Sequence, residues 1–350
     1  MRPVVGGKVG EKVVSESSRS RKVVPRAPNA TPPVVGVDLG GTYIRAALAD
    51  ERGALLERRK VETLAREGVE AVVGRIVRAV EEVSEPGVAA LGICSPGPLS
   101  SRTGIVYSPP NLHGWSDVPL AGMLEDRLGI PVFLGNDANA AALGEFAYGA
   151  GRGYRHVIYV TVSTGVGGGI ISDGRLLEGQ RGAAGEVGHV IVEPGGPLCG
   201  CGNRGCLEAL ISGTAIARQA REALAAGRES AIGSLAETDP HGVTAEVVVR
   251  AAREGDGLAG ELLETAGRRL GTALLGLVHV FDPQVIVVGG GVTNAGELLM
   301  KPARDTMFAG LMPIFKEGLE VVPPDLGSDA GLYGAVALAR RTAGVRVEDT

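Results

Sequence analysis

The sequence predicts an α/β fold of two lobes, and three observations carry that expectation. Apolar strands alternate with helically spaced stretches along most of the chain. A strand, a turn of glycines with a hydroxyl, and a returning strand occur twice, once in each half. The 350 residues, 44% of them hydrophobic, are also enough to bury a substantial core. The expected lobes are residues 34–135, joined by a helix returning over 331–343, and residues 136–330. Residues 1–33, rich in Ser, Arg, Lys, Val and Pro without sustained period, read as a disordered tail.

In the first lobe Val34–Val37 reads as a short buried strand entering Asp38-Leu39-Gly40-Gly41-Thr42, with Tyr43–Ala49 returning and a third strand at Ala54–Val61. Gly40 and Gly41 open main-chain N–H groups to close approach, Thr42 adds a hydroxyl, and Asp38 is a carboxylate suited to a hydrated magnesium ion. An ordinary tight turn is the plain alternative. Helical spacing follows over Val69–Val83, then a strand Val88–Cys94 runs into Ser95-Pro96-Gly97-Pro98, the strand end at which ligands of open α/β sheets collect. Trp115, the single tryptophan, suits a sugar-lining face or a core equally well. A helix at Leu120–Leu128 and a strand at Val132–Leu134 lead to Asn136-Asp137-Ala138-Asn139, which opens a helix running to Phe146. Asn136 and Asp137 both suit an N-cap, but capping needs only one of them. The sharper reading makes Asp137 a general base toward a sugar hydroxyl while Asn136 orients the neighbouring one.

The second lobe opens on the strand Val157–Val162, followed by Ser163-Thr164-Gly165-Val166-Gly167-Gly168-Gly169 and a strand at Ile170-Ile171. Two such hairpins can clamp the β and γ phosphates of a nucleotide, each with N–H donors and a hydroxyl. Helical spacing covers residues 207–211, 215–226, 245–253 and 258–281, then Gln284–Val288 enters Gly289-Gly290-Gly291-Val292, where a purine or ribose could lie on bare backbone. A strand at Leu319–Val322 and a helix at Gly331–Arg341 end the pattern. A Walker P-loop is absent, and the literal Gly-x-Gly-x-x-Gly at Gly200–Gly205 falls inside a cysteine cluster, away from any strand-to-helix junction.

That cluster, GEVGHVIVEPGGPLCGCGNRGCLE over residues 185–208, brings His189, Cys199, Cys201 and Cys206 together. One imidazole and three thiolates packed into eighteen residues can fill a closed tetrahedral zinc site, structural in role, which fixes Glu186 and Glu208 on its flanks. A disulfide pair or loose thiols are the alternatives, although Cys-x-Cys closes a disulfide badly. The net charge of −5 is spread without long blocks, so no nucleic-acid surface is expected. No run reaches membrane-spanning length uninterrupted and no secretory segment opens the chain, so cytoplasmic residence with reduced thiols is expected.

These residues resemble the sugar kinases of the ROK family (repressor, open reading frame, kinase), within the actin-like and hexokinase-like ATPases. The resemblance covers about Val34 to Ala343 and rests on Asp38–Thr42, Asn136-Asp137, Ser163–Gly169, Glu186–His189 and Cys199-Gly-Cys-Gly-Asn-Arg-Gly-Cys-Leu-Glu208, in family order. It implies ribonuclease H-like lobes that close over a hexose and MgATP. By this resemblance Asp137 is the base, and Gly97, Asn136, Glu186, His189 and Glu208 line the sugar site, with His189 also binding zinc. The hairpins, with Asp38 and with Gly290-Gly291, hold ATP. A homodimer or homotetramer is implied as well. The Pro-Gly-Pro loop and Asn111–Trp115 look like the glucose-specific members, with N-acylmannosamine kinase or fructokinase as the near alternatives. The family's transcriptional regulators are the other alternative, but they carry a winged helix-turn-helix that the thirty-residue tail is too short to supply.

Overall fold

The structure is a computed structural model and describes residues 31–239 and 241–342. The expected tail therefore lies outside the described residues up to position 30, as does position 343 of the returning helix. In the first half β1 (Val34–Leu39), β2 (Tyr43–Ala49) and β3 (Leu55–Glu62) form an antiparallel meander. Next come α1 (Val69–Val83), β4 (Leu91–Ser95), a ribbon of β5 (Leu99–Ser100) with β6 (Ile105–Val106), α2 (Leu120–Leu128) and β7 (Val132–Asn136). The sheet order is β3-β2-β1-β4-β7, with β4 and β7 added in parallel.

After α3 (Asp137–Tyr148) the second half repeats this plan. A meander of β8 (Val157–Val162), β9 (Val166–Ser172) and β10 (Arg175–Leu176) is followed by α4 (Leu207–Ile211), α5 (Gly213–Ala225), α6 (Ala231–Glu237), α7 (Ala245–Arg253) and α8 (Gly257–Phe281). Then come β11 (Val285–Gly289), α9 (Glu297–Gly310), β12 (Glu320–Val322) and α10 (Ala330–Thr342). The order β10-β9-β8-β11-β12 matches the first sheet strand for strand. Parallel strands need crossover helices, and helices on the faces explain why β8 and β11 are apolar along nearly their whole length. α1 shows the complementary logic, since its buried Val72, Val73, Ile76, Ala79, Val80 and Val83 recur at helical spacing and form one stripe.

Glycines set how the helices meet the sheets. A Cβ on Gly92 of β4 would lie 1.9 Å from the Ala335 carbonyl oxygen, so α10 lies directly on the first sheet. A Cβ on Gly169 of β9 would lie 2.5 Å from the Ala142 methyl, so α3 lies directly on the second. The two helices touch each other at Gly144 and Gly334, where a Cβ on Gly334 would come within 1.8 Å of the Ala140 carbonyl oxygen. Glu145, fully buried, locks the arrangement by accepting the N–H groups of Ala150, Asp325 and Leu326 at 2.9, 3.1 and 2.9 Å, which ties α3 to the segment before α10. The obstacle at Gly334 is backbone and cannot swing aside. Gly334→Ala is therefore expected to cost about 1–3 kcal/mol, read as a lowered denaturation midpoint at unchanged m-value. An unchanged midpoint would mean that the crossing yields.

Two helices were not foreseen. α6 is short, and α9 contains Pro302, a residue that reads as a breaker. α9 survives because it buries Leu299, Ala303 and Met307 and packs against α8, where a Cβ on Gly267 would meet the Pro302 ring at 2.6 Å. Trp115, left open between sugar face and core, is 4% exposed within the first core. No helix among the described residues is long and apolar enough to cross a membrane.

Candidate active site

The two glycine turns share one hydrogen-bond plan. In the first, the Gly40 carbonyl accepts from the Thr63 hydroxyl at 2.6 Å and the Thr42 carbonyl accepts from the Thr63 N–H at 2.8 Å. In the second, the Ser163 carbonyl accepts from the Gly213 N–H at 2.7 Å and the Thr164 carbonyl from the Thr214 hydroxyl at 2.9 Å. With the carbonyls bound back into the protein, the N–H groups of Gly41, Thr42, Thr164 and Gly165 take no partner among the described residues. Such a turn presents free N–H donors to an anion. Sequence reasoning missed Thr63, Gly213 and Thr214, because a threonine one strand away from a turn leaves no local signature.

Asp38, at the end of β1, is ion-paired to Arg45 of β2, and the Cys94 thiol donates to its other oxygen at 3.4 Å. Burial, followed by the charge of Asp38, pushes the Cys94 thiol well up, so Cys94 stays a protonated donor and stands apart from the other cysteines. Arg45 also reaches the Ser328 carbonyl at 2.5 Å and Asp329 at 3.6 Å, which anchors the first hairpin to the turn before α10.

At the start of α3 the capping question divides cleanly. Asn136 is the N-cap, its Oδ1 accepting the N–H groups of Ala138 and Asn139 at 3.0 and 3.3 Å. Asp137 occupies the first turn, with its carboxylate reaching solvent. The protein around Asp137 still displaces enough water to push its pKa above the ordinary aspartate range. The Ala138 N–H opposes this, and the charges of Asp38 and Glu186 add to the rise. Carboxylates from both halves thus act on Asp137. Gly97 joins them, since a Cβ there would meet Asn136 Nδ2 at 3.3 Å.

His189, Cys199, Cys201 and Cys206 place their donor atoms within 4.8 Å of one another, and none of the cysteines is in a disulfide. Cys201 Sγ lies 3.6 Å from Cys206 Sγ, and Cys199 Sγ lies 3.6 Å from His189 Nδ1. A tetrahedron with zinc–sulfur bonds of about 2.3 Å has sulfur–sulfur edges of about 3.8 Å, so these two spacings suit zinc. The Asn203 N–H brings the exposed Cys201 thiol down to about 7. Glu186 begins the 3-10 turn Val187–His189, and Glu208 lies in α4, whose N-cap is Cys206. The metal loop and the second hairpin also pack together, as a Cβ on Gly168 would meet Val187 at 2.6 Å.

Beyond the second hairpin, Gly290 (φ 96°) lies against β8, where a Cβ would meet the Val162 carbonyl oxygen at 2.3 Å. Thr164 and Gly291 line one pocket of about 330 Å³, with Thr214, Arg221, His241 and Thr244 on its other walls. The last four were not foreseen, because they come from helices and loops whose approach to the glycine turns is set only by folding.

The sequence profile of the ROK family matches residues 34–342. A glucokinase of Thermotoga maritima is 42% identical, over 89% of this chain and 98% of that relative. Among solved structures, a ROK hexokinase from Thermus thermophilus is 39% identical with a TM-score of 0.77, covering 89% of this chain and 99% of its own. A ROK family glucokinase from Streptomyces griseus, solved with glucose and AMPPNP, is 40% identical with a TM-score of 0.74, covering 88% and 99%. The duplicated sheet and the matched extent agree with the two-lobed actin-like, hexokinase-like ATPase fold. The chain belongs to the ROK family.

Proposed function

We propose that this protein is an ATP-dependent glucokinase, which transfers the γ-phosphoryl group of ATP to glucose to give glucose 6-phosphate and ADP. The observation that carries the reading is Asp137, relieved of capping by Asn136, raised in pKa, and flanked by Asp38 of one glycine turn and Glu186 of the metal loop. Asp137 takes the proton of the acceptor hydroxyl, while Gly97, Asn136, Glu186, His189 and Glu208 hold the rest of the sugar. The free N–H groups of Gly41, Thr42, Thr164 and Gly165 grip phosphate oxygens, with Gly40, Gly167 and Gly168 keeping those turns narrow. The nucleoside lies in the pocket by Gly290 and Gly291. Magnesium, when bound beside Asp38, neutralises phosphate charge. Zinc, when bound by His189 and the three cysteines, holds the loop in shape. His189 can serve both sites, Nδ1 toward the cysteines and Nε2 toward a hydroxyl. The family resemblance further supports a cytoplasmic homodimer or homotetramer.

An ADP-release assay across glucose, mannose, N-acetylmannosamine and fructose, with ATP or polyphosphate as donor, tests the reading. The highest kcat/KM is expected for glucose with ATP. Preference for another sugar would reassign the acceptor, and no turnover with any hexose, together with DNA binding, would overturn the kinase reading in favour of a regulator.

A further inference from the structure

We propose that Glu208 is a positioning residue for the second phosphate hairpin, as well as a sugar ligand, and that it couples the hexose and nucleotide sites through its two carboxylate oxygens. The proposal rests on the kinase reading above. Oε2 accepts the Val166 N–H at 3.0 Å, and a Cβ on Gly165 would stand 2.6 Å from that same oxygen. Oε1 faces the metal loop, 3.9 Å from Cys199 Sγ. With the Gly213 and Thr214 tethers already described, the segment 208–214 supplies three restraints on the turn 163–166.

The Glu208 tether differs from the other two in kind. Gly213 and Thr214 bind carbonyl oxygens, whereas Glu208 accepts an N–H immediately after the pair left free for phosphate. Holding Val166 fixes the end of the turn, so Thr164 and Gly165 keep their N–H groups pointed outward in the absence of ligand. That preorganisation lowers the ordering cost of binding nucleotide. A hexose hydroxyl on Oε1 orders the same side chain, so each substrate should tighten the other by an equal factor.

The Val166 N–H needs an acceptor at that point, not a charge, and this makes the idea testable. Magnesium and AMPPNP are titrated by calorimetry into wild type, Glu208→Ala, Glu208→Asp and Glu208→Gln, without sugar and then with glucose, with zinc content and melting temperature measured on each. Without sugar, the Ala variant and the Asp variant, one carbon too short to reach Val166, should bind AMPPNP about tenfold more weakly, the scale of one lost hydrogen bond. The Gln variant, whose amide oxygen can still accept, should stay within about twofold of wild type for AMPPNP while losing glucose affinity. Should the Ala variant lose zinc or fold, the Asp and Gln pair carries the same comparison. Unchanged AMPPNP affinity in the shortened variants, or an equal loss in the Gln variant, overturns the proposal. Wild type that binds no AMPPNP would instead sink the kinase reading.

Discussion

Asp137→Asn is expected to lower kcat by about 100- to 10,000-fold, the range that general-base catalysis supplies, with the affinities for glucose and AMPPNP held within a few-fold. Asparagine keeps the shape and the contact to the Ala138 N–H but cannot take a proton. The pH profile should carry the same message. Because surrounding protein raises the Asp137 pKa, the acid limb of wild-type kcat/KM should fall with one proton at a pH above the ordinary aspartate value of about 4. Activity is present above that pKa and lost below it, and the variant should lack the limb. Stability runs the other way. The raised pKa means the folded state binds the proton more tightly than the unfolded chain, so this group favours folding at low pH, and that help is lost as pH rises through the folded pKa. At neutral pH the ionised Asp137 works against folding, and the Asn variant should melt no lower than wild type. Near-native turnover in Asp137→Asn would remove the base.

Cys201→Ala is the second large expectation. Cys201 is exposed, unlike the buried Cys199 and Cys206, so alanine there removes a metal donor with little loss of packing. Structural zinc sites contribute about 10–16 kcal/mol of apparent binding free energy in small peptides, which makes the loop's shape depend on the ion. The variant should purify with less than one zinc per chain, become sensitive to protease between residues 189 and 206, and show a KM for glucose raised more than about tenfold. Glu186, His189 and Glu208 would lose their common support together. Full glucose affinity in metal-free protein would show that the loop stands without zinc.

Much of this was legible in the chain because it is local. Helices at Val69–Val83, Leu120–Leu128 and Ala245–Arg253 follow from spacing and end where it ends. The gathering of His189, Cys199, Cys201 and Cys206 declares itself through an eighteen-residue spacing, and both glycine turns through the residues they contain. What was not legible depends on distance in sequence. Thr63 orients the first turn from across β2 and β3, and Arg221 and His241 reach the pocket beside Thr164 and Gly291 from the helical region after the cysteine loop. Arg45 was unremarkable in a strand, yet it is ion-paired to Asp38, a contact that no motif announces. α9 was hidden by Pro302, whose local cost is outweighed by the apolar stripe packed on α8.

Where α3 and α10 touch at Gly144 and Gly334, backbone rests on backbone, and beside that contact the rings of Tyr148 and Tyr333 meet at a tilt with centroids 5.5 Å apart. A junction of that kind leaves no room for an added atom. The two sheets, each with its own donor-bearing turn, are thus mounted like blades on a rivet. Enlarging the rivet by one methyl should spread the blades at rest, blunting both grips at once even though neither is altered.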